Sequence, residues 1–332
     1  MSGLFRESQR RFFALAFLVM VILCLWLARD FLIPLAIAIM IWFLIGALAS
    51  AVRRTPWVGR HISAEGAKLF SIVLMTGLAW LVGEIIVTNV SSLSAGVSAD
   101  SAVIVERLES FLAGLGFDID IATGRIYEYL RFQDMLSWAL ETARSLISDA
   151  GLVLLYVVFI MVDERYYLVK LQALVPDPER RNFIRATLRR IASDTRAYIW
   201  VMTLISLGVG LATYAACAHA GLSGAGFWGF VAFILNFVPT IGSILGVALP
   251  ILYAILTLGD PLALTLLVLA LSSIQMIAGE IVLPRMMGDT LNLSSMVILV
   301  MLVGWGTIWG PAGMFLAIPI TVILVLVCAR FE

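Results

Sequence analysis

Apolar and charged positions fall into long blocks along this chain. Runs of roughly 17–30 residues carry almost no charge, and a bilayer core of about 30 Å needs about 20 such residues as a helix. Phe12–Ala28 and Phe31–Val52 are the first two runs, separated by Arg29 and Asp30. Leu69–Val90 follows, interrupted by Glu84; later runs cover Leu146–Val162, Tyr198–His219 and Leu262–Leu283. Phe227–Leu258 and Met296–Ala329 are each too long for one straight span, and Pro and Gly interrupt each near its middle. Only helices or closed barrels satisfy their backbone groups in lipid. Barrel strands would alternate over about 10 residues, and these runs do not. The pattern predicts an all-α, polytopic helical membrane protein with about eight membrane segments, two of them Gly/Pro-broken.

The polar stretches between the runs set the layout. The Arg29–Asp30 step reads as a very tight hairpin with opposite charges at its tip; one long helix kinked near Pro34 is the other reading. Ser91–Arg144 is acidic, with apolar residues such as Val103, Leu108, Phe111, Leu112 and Leu115 at helical spacing. It predicts a small helical insert acting as a solvated lid. Asp163–Arg196 carries Arg165, Lys170, Arg180, Arg181, Arg185, Arg189, Arg190 and Arg196, the signature of an interfacial or cytoplasmic elbow. The expected domains are membrane helices over 1–90, an acidic extracytoplasmic insert over 91–145, a span over 146–162, a basic elbow over 163–197 and a membrane core over 198–332. Basic segments face the cytoplasm. Both termini, the Arg53–Lys68 loop and the elbow are therefore expected inside and residues 91–145 outside. That parity requires Phe12–Val52 to cross twice.

Composition narrows the function classes. Of 332 residues, 62% are hydrophobic and 13% charged, against about 45–50% and about 25% in soluble domains. The net charge of zero gives no reason to expect nucleic acid. Cys24, Cys217 and Cys328 lie in apolar runs without metal-ligand spacing, and His61 and His219 are isolated, so neither a metal nor a cofactor is expected. No nucleophile with a base, paired carboxylates or phosphate-binding glycine loop points to an enzyme.

The broken segments carry the chemistry. Proline removes an intrahelical bond and glycine lets the backbone turn, and freed backbone groups at membrane depth survive only against protein or a watered cavity. Such interrupted segments point to a transporter's binding site. The first break offers Asn236, Pro239, Thr240, Gly242 and Ser243; the second offers Gly306, Gly310, Pro311 and Gly313. Both segments fit helical hairpins that enter and leave one side, or Pro-kinked spans packed through small residues. Gln275, Glu280 and Pro284 mark the span between them. A carboxylate such as Glu280 deep in a span faces a cavity or partner; near the span's end it reaches interfacial water.

At these residues the chain resembles the autoinducer-2 exporter family. The resemblance rests on Asn236-Phe237-Val238-Pro239-Thr240-Ile241-Gly242-Ser243, on Leu283-Pro284-Arg285-Met286-Met287-Gly288 with Leu291-Asn292-Leu293-Ser294, and on Gly304-Trp305 through Gly313-Met314 with Ala317-Ile318-Pro319-Ile320-Thr321. It implies a homo-oligomeric transporter of the bacterial inner membrane, moving a small polar metabolite or signal such as autoinducer-2, or exchanging sodium for protons as some members do. Two positions depart from the family pattern. Met202 stands where exporter-like members carry lysine, and Leu283 where they carry glutamate, with an acid instead at Glu280. Three functions are thus in view: export past the broken segments, cation/proton antiport through Glu280, and a non-transporting scaffold or receptor built on the acidic insert. The expected partners are a small-molecule or ion substrate, membrane lipid and further copies of the chain.

Overall fold

A computed structural model supplies the fold and describes residues 2–55, 62–97, 150–164, 166–238, 240–287 and 294–328. Most of the expected acidic insert lies outside the described residues, as do His61, Asp149, Arg165 and Pro239. The described elements are all helical: α1 (Ser2–Leu27), α2 (Arg29–Arg54), α3 (Ala64–Val97), α4 (Ala150–Glu164), α5 (Tyr167–Leu174), α6 (Pro178–His219), α7 (Ala225–Leu235), α8 (Ile241–Thr257), α9 (Pro261–Met276), α10 (Leu283–Met287) and α11 (Ser295–Cys328). A π-helical turn, Ile277–Val282, joins α9 to α10. The helices Arg29–Arg54, Pro178–His219 and Pro261–Met286 are each long and apolar enough to cross a membrane, and the apolar stretch Met296–Thr321 is divided at Gly310. The chain is a polytopic helical membrane protein.

Two compact units share these helices. One comprises Met1–Phe43, Gly151–Thr195 and Asn292–Glu332, the other Leu44–Ala150 and Arg196–Leu291. In the second unit α8 packs against α7 and α9. Phe227, Trp228, Tyr253, Leu264, Leu267 and Leu271 are buried there, and the Trp228 and Tyr253 rings lie 5.3 Å apart. Gly221 and Gly224 turn the chain between α6 and α7 at φ of +73° and +71°, a region glycine enters without strain. Ser223 within that corner hydrogen-bonds the Tyr253 hydroxyl at 2.7 Å.

Lipid is as apolar as leucine, so helices in a membrane associate by close packing. Gly210 of α6 and Gly229 of α7 show this directly. A Cβ on Gly210 would sit 2.8 Å from the Gly229 carbonyl oxygen, and one on Gly229 2.7 Å from that of Gly210. The two backbones meet where neither has a side chain.

In the first unit α1 packs on α11. The Phe31 and Tyr156 rings meet at 5.6 Å, and Trp42 Nε1 donates to Glu164 Oε2 at 3.3 Å. The tight reversal expected at Arg29–Asp30 is not what this unit contains. Ala28 alone separates α1 from α2, and helical bonds flank it: Ala28 N–H to the Cys24 carbonyl and Leu32 N–H to the Ala28 carbonyl, each 2.9 Å. Antiparallel helices need a loop of about 2–5 residues, so this junction is a bend. The bend sits at Ala28, ahead of Pro34. The Leu25 carbonyl, which would accept from Arg29 N–H in an unbroken helix, accepts the Trp309 indole N–H at 3.0 Å. A side chain inserted into the ladder is an established cause of kinking. The opposite charges serve the new helix instead of a loop. Asp30 lies in the first turn of α2, where a negative charge is favourable, and the Arg29 guanidinium lies 5.4 Å from the Trp26 ring centre.

Other boundaries shift as well. α3 continues past Val90 to Val97, and Glu84 within it is exposed. The elbow helix and the fifth apolar run are one helix, α6, of 42 residues, or about 63 Å at about 1.5 Å per residue. Asp177 caps it, its Oδ1 accepting from Glu179 N–H at 3.1 Å with Pro178 in the first helical position.

Substituting Gly229→Ala forces a Cβ into the Gly210 carbonyl, and overpacking of this kind costs about 1–3 kcal/mol. Gly208→Ala adds its Cβ to open space. Thermal unfolding in detergent is expected to show a lower midpoint for Gly229→Ala and an unchanged or higher one for Gly208→Ala.

Candidate functional site

The first broken segment folds back on itself. α7 has 11 residues and α8 has 17. Contacts between them run in opposite directions along the two arms. Nearest the tip, a Cβ on Gly242 would strike the Leu235 carbonyl. Farther along, a Cβ on Gly246 would sit 3.8 Å from the Ala232 Cα, and beyond that Trp228 stacks near Tyr253. A kinked span would carry residues 228 and 253 apart, so the segment is an antiparallel helical hairpin. Turn bonds close its tip: Val238 N–H to the Leu235 carbonyl at 2.8 Å and Gly242 N–H to the Val238 carbonyl at 2.9 Å.

Thr240, at the start of α8, has φ 62° and ψ −63°. These dihedrals are those of the rare, strained γ-turn, and a β-branched residue pays for positive φ more than most. Its side chain makes no capping bond and is exposed. Ser243 lies half-buried in the first turn of α8. Pro239 lies outside the described residues.

Asn236 is held from another helix. Its Nδ2 donates to Ser206 Oγ of α6 at 2.9 Å, and Ser206 is fully buried. Ser206 is absent from the expected site residues, although a lone serine in the apolar run Leu204–Leu207 is a usable signal. Gln275 of α9 reaches the same hairpin. A Cβ on Gly246 would lie 3.3 Å from Gln275 Nε2, so the missing side chain makes the niche for the amide. That nitrogen is buried and has no hydrogen-bond partner among the described residues.

Glu280 follows in the π-helical turn and is exposed. The Leu283 N–H bonds back to the Ala278 carbonyl, five residues away. Pro284 supplies a reason for the widened register: it has no N–H, and in an α-helix its ring would press on the carbonyl four residues earlier, that of Glu280. Single π turns inside α-helices are frequent at functional sites. Pro284 itself is exposed in α10. Around this turn Ala278 packs with Ile205, Val209 and Ala232, and Val201 and Leu283 join the same apolar cluster. Met202 is buried on α6.

The second broken segment, in the first unit, is also folded back. Gly310 has φ 63° and ψ −145° within α11, a region open essentially to glycine alone. A Cβ on Gly313 would strike the Trp305 carbonyl, and one on Gly306 would lie 2.9 Å from Met314 side-chain atoms. Residues eight apart on one straight α-helix sit about 12 Å apart along its axis, so these contacts require a reversal at Gly310. Pro311 is the exposed first residue of the returning arm. Trp305 and Trp309 lie with ring centres 5.0 Å apart on the other arm.

The site residues thus form separate groups. Asn236, Thr240, Gly242 and Ser243 build the first tip, Gln275 sits against its second arm, Glu280 and Pro284 lie in and after the π turn, and Gly306, Gly310, Pro311 and Gly313 build the second reversal. Among the described residues no group of three or more His, Cys, Asp and Glu side chains could hold a metal ion.

Comparison with known proteins gives the family. The family model described as "AI-2E family transporter" matches residues 15–331. The AI-2 transport protein TqsA of Escherichia coli (strain K12) is 31% identical over 66% of this chain and 63% of its own length. The putative transport protein YhhT of the same strain is 32% identical over 51% of this chain and 48% of its own length. A putative transport protein of Borreliella burgdorferi is 30% identical over 53% of this chain and 49% of its own length. The match therefore spans less than two thirds of each of these relatives. With the family model covering nearly the whole chain, the chain belongs to the AI-2E family of transporters.

Proposed function

We propose that this chain carries a small polar metabolite or signal, of the kind autoinducer-2 represents, across the bacterial inner membrane, with the tip of the α7–α8 hairpin on its path. The observation that supports this reading is the pair of amides at that hairpin. Ser206 fixes Asn236 from a fully buried position, and Gln275 brings an unpaired donor against Gly246 one helical turn from the tip. Neutral amides suit hydroxyl and carbonyl groups, donating to oxygen and accepting from O–H. A buried donor without a partner costs about 1–3 kcal/mol, and an opening of the hairpin that lets a polar solute bond to it recovers that energy. The name of the TqsA relative supports the same substrate class. The second reversal, at Gly310, is proposed as a further part of the transport machinery. Assembly into a homo-oligomer follows the family resemblance. The acidic 91–145 segment and the basic elbow, with one apolar helix between them, support opposite sides of the membrane for those two, the elbow cytoplasmic.

A second reading, cation/proton antiport, rests on Glu280. Its carboxylate is exposed on a π turn beside Gly279, whose missing side chain leaves open space.

Proteoliposome assays separate the two readings. Autoinducer-2 uptake that falls about tenfold in Asn236→Ala, the worth of one hydrogen bond, supports the solute path. Uptake unchanged in that variant sinks it. Sodium-driven proton movement abolished by Glu280→Gln supports antiport; exchange that persists in that variant, or is absent from the wild type, removes Glu280 from the mechanism.

Gln275→Leu removes the orphaned donor while keeping most of the volume. It is expected to raise the unfolding midpoint by a few degrees, about 1 kcal/mol, while lowering uptake. A variant that gains stability and keeps full uptake shows that the amide is not on the path.

A further inference from the structure

The elbow sets cations beside exposed apolar side chains. On and before α5, Val169 is 62% exposed, Leu174 79% and Tyr166 56%. Part of the basic set is already engaged. Lys170 Nζ donates to both carboxylate oxygens of Asp163 at 2.9 Å, tying α5 to the end of α4. Arg181 Nη1 donates to the Val175 and Pro176 carbonyls at 3.4 Å, which holds the start of α6 against the elbow.

Arg181, Arg185 and Arg189 stand at i, i+4 and i+8 of α6, so they form a row on one helix face. Arg190, off this row, has Asp194 at 3.9 Å. Arg181 has Asp177 four residues before it, whereas Arg185 and Arg189 have no acid at that spacing. Three and four residues from Arg185 stand Arg181, Asn182, Leu188 and Arg189; around Arg189 stand Arg185, Ala186, Ala192 and Ser193. Like charges at this spacing repel. Arg185 Nε is buried and makes no hydrogen bond among the described residues. The helix supplies no anion for Arg185 and Arg189, so their anion comes from outside it.

We propose that the row binds the phosphate of an anionic phospholipid headgroup, with Arg185 and Arg189 as its principal donors. The guanidinium fork matches phosphate oxygens in pairs. The apolar side chains of α5 identify the source as a membrane rather than a dissolved anion, because a basic amphipathic segment lies with its apolar groups at the acyl boundary. A zwitterionic lipid presents the same phosphate beside its own cation and is held less tightly. The row sits on the elbow and plays no part in the proposed solute path.

The test is binding of fluorescent phosphatidylglycerol and phosphatidylcholine to the purified full-length chain in non-ionic detergent. The wild type is expected to prefer phosphatidylglycerol. Arg185→Gln with Arg189→Gln removes that preference, losing about fivefold per arginine, and Arg180→Gln, an exposed cation off the row, keeps it. Should the double variant fail to fold, Arg189→Gln alone, at an exposed position, is expected to lose about fivefold and Arg189→Lys less. Equal affinity of the wild type for both lipids overturns the proposal. So does a double variant, or Arg189→Gln, that binds like the wild type, a loss in Arg180→Gln as large as in the double variant, or displacement of the lipid by millimolar inorganic phosphate.

Discussion

The close approach of the Leu235 carbonyl to Gly242, and of the Trp305 carbonyl to Gly313, is the contact on which the folded core depends. At each place a helix ends and the next begins almost at once, so the first turn of the returning arm must lie against the last turn of the outgoing one. A single methyl group at either glycine would occupy the carbonyl's position. Everything downstream needs this closure. The short arm α7 can lie along α8 only because the reversal is tight, and that pairing brings Trp228 to Tyr253 and Ala232 to Gly246. The gap above Gly246 then receives Gln275 from α9. One missing side chain sets the chain reversal and another sets the niche, so the polar groups at the tip are arranged by absence as much as by contact.

Much of this was legible in the residues. Charge-free runs announced helices in lipid, and glycine and proline announced where those helices break. What the runs could not decide was whether a broken helix bends or reverses. That choice lies in contacts between residues such as 228 and 253, which no local period encodes. The bond between Asn236 and Ser206 joins positions 30 apart in sequence and was hidden for the same reason. The π turn before Pro284 was half visible: proline showed that the ladder must break, but the register on its N-terminal side depends on packing of Ala278 with Ile205, Val209 and Ala232. Arg29 and Asp30 misled because opposite charges between apolar runs suit a loop as well as a helix start. The bend beside them is made by Trp309, which comes from the far end of the chain.

That indole is more than a local oddity. A backbone carbonyl released from its helix needs a donor, and in a membrane water cannot be assumed. Trp309 supplies one to Leu25 while its ring packs with Trp305 beside the Gly310 reversal. The bend between α1 and α2 and the reversal in α11 are therefore linked by one side chain within the first unit. Loss of the indole donor would leave the Leu25 carbonyl to seek its own helix again, straightening the one and loosening the support of the other.

The length of α7 carries a different consequence. Its 11 residues rise about 16 Å, close to half of an apolar slab about 30 Å thick. On the transport reading, an arm of that length entering from the surface sets its polar tip about half-way through the slab. A solute that has reached Asn236 then has only the remaining half of the slab ahead of it. A hairpin of this size replaces the first half of the slab with helix ends and side-chain amides, so its cargo meets polar groups where oil would otherwise stand, while the surrounding membrane keeps its full thickness.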